Sequence, residues 1–205
     1  MNTGIPNFAK LRPIFYRERS AGFYTAAAYP LSISVSEIPW TACFALIFTA
    51  INYFMVGFKP TAGAFFTAFL AIALAAFWFA TIGAGFIAFF PIPLLASIAG
   101  GMTIQFTILF GGVNISVLSL GGWNWFYYVN GFAHALRLAF LPQYEGDQTA
   151  IVINGEVNTK EGFEIQQLGL SPSEKWYSLG CLLLIVVVAW ALMTTFYARI
   201  NHQKR

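Results

Sequence analysis

From Pro60 through Leu136 the chain runs 77 positions without one Asp, Glu, Lys or Arg. A water-soluble fold of 205 residues has too little interior to hide such a run. Charged residues make up 9% of the chain and apolar residues 58%, against roughly 25% charged in an average soluble domain. The run predicts an all-α polytopic membrane protein.

A helix needs about 20 mostly apolar residues to cross the hydrocarbon core, and four stretches qualify as transmembrane helices. Residues 31–120 carry three, at about 31–58, 61–90 and 94–120, and Trp176–Ala198 supplies the fourth. Within the first, the clear span is Ile38–Phe58, entered by a turn from Tyr29 through Glu37. Pro91 and Pro93 part the second from the third, because proline lacks an amide donor and clashes with the preceding helical turn. Ser171-Pro172-Ser173-Glu174 reads as an N-cap, a proline at N1 and a glutamate at N3, opening the last helix.

Residues 121–141 are aromatic and nearly long enough to span, yet they hold Asn124, Asn130, His134 and Arg137 between Gly121-Gly122 and Pro142. They are expected to form re-entrant or interfacial helices, with Trp and Tyr at headgroup level. Residues 142–175 carry six acids against Lys160 and Lys175 and are expected to stay outside as a small loop domain. Asn154-Gly155, between β-branched flanks, is the type I′ hairpin signal within it. Residues 1–30 and the tail after Ala198 each carry a net +3. With four spans, the positive-inside bias puts 1–30 and the basic tail of 176–205 in the cytoplasm.

Several chemistries find no footing. No lysine is followed by Ser or Thr, so no P-loop is present in these residues. Two histidines, His134 and His202, and two cysteines, Cys43 and Cys181, form no metal-ligand spacing, and no metal site is expected. The cysteines read as small buried hydrophobes. No nucleophile elbow or carboxylate pair lies in the spans, so no catalytic residue is assigned and no enzyme activity is expected of the chain itself. The basic runs flank apolar spans rather than forming one basic face, which speaks against a nucleic-acid partner.

What remains are polar residues at membrane depth, where desolvation is costly. Glu37 stands at the mouth of the first span beside Ile38-Pro39. It reads either as a snorkelling carboxylate paired with Arg12, Arg17 or Arg19, or as a conformational element. His134 and Arg137 share one helical face and read as an interfacial anchor, pairing with Glu145 or headgroups, ahead of a proton relay. Thr103, Gln105, Phe106, Thr107, Phe110 and Asn114 mix polar and aromatic groups along the third span. They suit a path for apolar cargo, or simply helix packing, and Gln105 should face protein or a cavity. Gly83, Gly85, Ala96, Gly100 and Gly101 read as sites of close helix approach. Asn114-Ile115-Ser116 matches a glycosylation triplet but ends a span, where the bilayer would shield it.

The ordered set FYRERSAGFY at Phe15–Tyr24, Glu37-Ile38-Pro39, YFMVGF at Tyr53–Phe58 and the aromatic stretch from Gly121 to Gly146 resembles the transmembrane domain of G-type ABC exporters, the pleiotropic drug resistance group above all. The resemblance covers nearly the whole chain and fits the C-terminal portion of such a domain. It implies a permease portion of an ATP-driven exporter for lipids or hydrophobic xenobiotics, at the plasma membrane. It implies that Arg12, Arg17, Glu18 and Arg19 form the cytoplasmic coupling segment that touches a nucleotide-binding domain. Phe15, Tyr16 and Phe23 would anchor that segment on the span ends. ATP and Mg would then bind that domain, and the other partners would be a second transmembrane half, the bilayer and a hydrophobic cargo.

Two features depart from the family. A half-transporter of this type has six spans and an ATPase domain, whereas these residues offer four spans and no P-loop, so a fragment of a longer transporter is expected. The external-loop cysteines common in parts of the family are also missing. The rival reading is a stand-alone membrane scaffold or secondary carrier. A carrier would ordinarily place a carboxylate near midplane, and Glu37 lies too close to the boundary for that.

Overall fold

The computed structural model describes residues 5–25, 27–144, 149–153, 156–159 and 175–202. Its first helix, α1 (Ile5–Ser20), carries Pro13 in its interior and ends in a Schellman turn. Gly22 has φ 76°, the Phe23 amide donates to the Glu18 carbonyl at 3.2 Å, and the Gly22 amide donates to that of Arg19 at 3.1 Å. The positive φ is one that a Cβ would oppose, so glycine is required there.

Helix α2 (Ala28–Val56) is continuous, with Pro39 inside it. The turn expected from Tyr29 through Glu37 is instead helical. Pro39 removes only the amide that would have bonded to Val35, and the helix runs on past it. The α2 terminus repeats the α1 ending, with Gly57 at φ 74° and the Phe58 amide on the Tyr53 carbonyl at 3.2 Å. Helix α3 (Ala62–Phe89) stops before Pro91, and α4 (Pro93–Leu109) begins with its proline at N1, both as the two prolines dictate.

The third stretch does not stay helical to Leu120. Helix α4 ends at Leu109, Gly112 turns the chain at φ 88°, and short 3₁₀ turns follow at Val117–Ser119 and Gly121–Trp123. A helix of 17 residues is about 25 Å long at 1.5 Å per residue. Among the described helices, α2, α3 and α7 (Lys175–Arg199) are long and apolar enough to cross a membrane, and α4 is shorter. Two further helices, α5 (Asn124–Val129) and α6 (Gly131–Tyr144), fill the aromatic stretch, separated only by the extended Asn130. Pro142, expected to mark a break, lies inside α6, with only Gln143 and Tyr144 following it in the helix.

Strands β1 (Ala150–Ile153) and β2 (Glu156–Thr159) pair antiparallel, with Ile153 opposite Glu156. The turn residues Asn154-Gly155 and the cap Ser171–Glu174 lie outside the described residues.

Two compact units emerge. The first takes the described residues of Met1–Phe44, Ala76–Ile104 and Leu184–Arg205. Its core joins Phe8, Phe15 and Tyr16 of α1 to Ile33, Ile87, Met193 and Tyr197. Helix α3 passes α7 at Gly85, where a Cβ would sit 3.7 Å from that of Met193, an ordinary contact, and Ala96 is fully buried in the same core. The second unit takes the described residues of Ala45–Ala75 and Gln105–Leu183. Val117, Leu120, Tyr127 and Ala133 form one of its cores, and Tyr53, Ala64 and Ala68 another. Trp123, Trp125, Tyr128, Trp176 and Tyr177 of this unit are exposed. Cys43, read as buried, is exposed on α2, as a lipid-facing position allows.

Candidate functional site

Helix α1 has two chemically distinct faces. Phe8, Arg12, Phe15, Tyr16 and Arg19 recur at helical spacing and turn into the first unit, while Lys10, Leu11, Ile14 and Arg17 are exposed. Phe15 is fully buried, stacked on Tyr29 at 4.4 Å and edge-on to Tyr197 at 5.5 Å between ring centroids. Phe23, expected to anchor the segment, is instead 77% exposed, because the turn at Gly22 carries it away from this cluster.

The two inward arginines meet helix ends. Arg12 Nη1 donates to the carbonyls of Ile87 at 3.0 Å and Phe90 at 2.7 Å, and its Nη2 to that of Pro91 at 2.5 Å. Arg19 Nη1 donates to the Tyr197 carbonyl at 2.9 Å and its Nη2 to that of Ala198 at 2.7 Å. The last carbonyls of a helix have no intrahelical partner and carry the negative end of its dipole, so a guanidinium there is doubly favourable. The chain's last described residue joins the same cluster: the His202 amide donates to the Tyr16 hydroxyl at 3.4 Å, and His202 Nε2 to the Ala88 carbonyl at 3.1 Å.

The sequence-defined quartet is thus divided. Arg12 and Arg19 point inward, Arg17 outward, and Glu18 accepts a hydrogen bond from the Tyr24 hydroxyl at 2.7 Å. Burial and then that carboxylate push the Tyr24 phenol up to about 12. Glu37 lies well inside α2, with Pro39 a half-turn on.

The six residues of the third stretch separate as well. Thr103 returns its hydroxyl to the Ala99 carbonyl at 2.9 Å, and Gln105 and Phe106 are exposed. Phe106 and Phe110 lie parallel, 6.3 Å apart. Thr107 is buried, and Asn114 donates to the Ile108 carbonyl at 3.4 Å beyond the end of α4. Gln105 therefore faces neither protein nor a cavity within the second unit.

That unit holds a polar core the sequence did not disclose. Asn130 donates to the Thr107 carbonyl at 2.8 Å and accepts from the Phe132 amide at 3.1 Å. His134 is buried, its Nε2 donating to the Tyr128 carbonyl at 2.9 Å. Arg137 is buried too, over the Tyr127 ring at 5.1 Å to its centroid. Neither is the interfacial anchor expected, since α6 turns both into the unit; Glu145 lies outside the described residues. Gln143 accepts from the Lys59 amide at 3.1 Å and the Tyr53 hydroxyl at 3.4 Å, and Tyr53 also donates to the Lys59 carbonyl. Among the described residues no cluster of His, Cys, Asp or Glu could hold a metal ion.

Residues 1–143 match the family described as ABC-2 type transporter. ABC transporter G family member 33 of Arabidopsis thaliana is 29% identical over 200 residues, 97% of this chain and 14% of that protein. ABC transporter G family member 41 of Oryza sativa subsp. japonica is 30% identical over 161 residues, covering 78% of this chain and 11% of that protein. Pleiotropic drug resistance protein 2 of Nicotiana plumbaginifolia is 28% identical over 179 residues, covering 83% and 12%. The chain therefore spans about a seventh or less of the length of these relatives. With a family match over most of its residues and G-family relatives along nearly its whole length, the chain belongs to the ABC-2 type transporters and is a membrane-embedded portion of that architecture.

Proposed function

We propose that the chain is the permease portion of an ATP-driven exporter of lipids or hydrophobic xenobiotics, as the C-terminal part of a longer transporter. The names of its relatives, which include a pleiotropic drug resistance protein, support the cargo class. Helices α2, α3, α4 and α7 are its four crossings, with α4 completed by the loop that follows it. ATP and Mg bind a nucleotide-binding domain elsewhere in the transporter, and a second transmembrane half completes the path. The chain lies in the plasma membrane with both ends cytoplasmic; the hydrogen bond from His202 to Tyr16, which brings tail and α1 together, supports a common side.

In this reading α1 is the coupling segment, through Arg12, Arg17, Glu18 and Arg19. The observation that carries it is the pairing of an exposed, cationic face at Lys10 and Arg17 with an opposite face bonded to the ends of α3 and α7. A soluble partner with acidic groups would dock on the first face and move the helices behind the second. Glu37 and Pro39 mark where α2 flexes, and Thr103, Gln105, Phe106, Thr107, Phe110 and Asn114 line the cargo path. The test is Arg17→Glu in the transporter that contains these residues, with ATPase and efflux measured in the same vesicles. Cargo-stimulated ATPase should be lost while membrane insertion is retained; unchanged ATPase and efflux would remove the coupling role.

A further inference from the structure

We infer that Arg12 and Arg19 are positioning residues: two clamps that bind α1 to the C-terminal ends of α3 and α7 and make the three move as one body. Their docking partner is internal. Each guanidinium is spent on main-chain carbonyls, three for Arg12 and two for Arg19. The two arginines stand seven residues apart, hence on one face of α1, so each reaches a different helix end from the same side. Between them Phe15 and Tyr16 fill the core, which fixes the helix against rolling.

The bonds are charge-assisted and relieve carbonyls that have no other intrahelical partner, so they weaken little when the surroundings shift. Lysine could not replace them, because an ammonium is a point charge and lacks the planar fork that reaches two carbonyls at once. The consequence rests on the coupling reading: a displacement of α1 enters the membrane through α3 and α7, delivered by these clamps. Arg17, on the opposite face, takes no part in them.

The test needs no nucleotide-binding domain. In the chain with Cys43 and Cys181 replaced by alanine, reconstituted in phosphatidylcholine vesicles, spin labels at Ser20 and Thr195 report the Arg19 clamp. Labels at Leu11 and Ile92 report the Arg12 clamp. Each pair should give one narrow distance peak. Arg19→Gln and Arg19→Lys should both lose the first peak, and Arg12→Gln and Arg12→Lys the second, whereas Lys10→Gln should leave both. Narrow peaks that persist in the double variant Arg12→Gln/Arg19→Gln would overturn the inference, and a lysine variant that keeps its peak would reduce the clamp to charge alone. Hydrogen exchange on the unaltered chain gives a reading that no folding defect can spoil. The α1 amides should be protected to within about tenfold of the last turns of α7, and exchange roughly a hundredfold faster would show α1 unattached. If the clamps hold while Arg17→Glu leaves transport intact, the coupling reading fails and the clamps stand.

Discussion

Asn130 and Thr107 lie 23 positions apart, yet the Asn130 side-chain amide donates to the Thr107 carbonyl at 2.8 Å within the second unit. That carbonyl belongs to the last turn of α4, the part of a helix where intrahelical amides run out. The same asparagine accepts from the Phe132 amide and so opens α6 as its cap. One side chain therefore ends one helix and starts another. Asn130→Ala should lower stability by about 1–3 kcal/mol, because the bonds to both Thr107 and Phe132 are lost. Asn130→Asp should be nearly as harmful, since it keeps the acceptor for Phe132 but cannot donate to Thr107. Thermal unfolding in detergent checks both, and an unshifted midpoint for Asn130→Ala would defeat the assignment.

Gly111 should be intolerant of a side chain. A Cβ there would lie 2.9 Å from the Phe132 ring and 3.0 Å from the Thr107 carbonyl oxygen, and the second of these is backbone that cannot swing away. Gly111→Ala is expected to cost about 1–3 kcal/mol from overpacking. Gly180→Ala, in α7 with nothing within 4 Å, should be neutral or stabilising by up to about 1 kcal/mol. Equal unfolding midpoints for the two variants would contradict this.

Gln143→Leu should loosen the bend between α2 and α3. The Lys59 amide and the Tyr53 hydroxyl would both lose the Gln143 oxygen, at an expected cost of about 1–2 kcal/mol. Tyr53→Phe should couple to it, so the double variant should cost less than the two single changes added. Strict additivity in a double-mutant cycle would separate the two residues.

Cysteines introduced at Asn7 and Asn201, after replacing Cys43 and Cys181, should react with an impermeant thiol reagent from the same face of sealed vesicles. The contact of His202 with both Tyr16 and Ala88 leads to this expectation. Labelling from opposite faces would reverse it and make residues 121–141 a crossing.

Some of this was legible in the sequence and some was not. Pro91 and Pro93 mark the α3–α4 junction because proline acts locally, whatever surrounds it. The over-long third span arose because residues 110–120 carry no charge to end it, and the break depends on Gly112 and on Asn130 further along the chain. Burial of His134 and Arg137 likewise arises from tertiary packing that no local pattern announces. The division of the α1 arginines could have been found. Phe8, Arg12, Phe15 and Arg19 repeat at helical spacing, as do Lys10, Ile14 and Arg17 on the other side. Reading the charges as one cluster, rather than by face, concealed it.

The indoles of Trp123, Trp125 and Trp176 in the second unit and of Trp40 in the first are exposed, whereas Trp78 is buried and Trp190 donates its N–H to Ser34 at 3.0 Å. Intrinsic emission of this chain is thus built from two optically separable populations. A quencher carried on lipid would dim the first population and spare the second, so an ordinary fluorometer can tell lipid-facing indoles from interior ones without a single added dye.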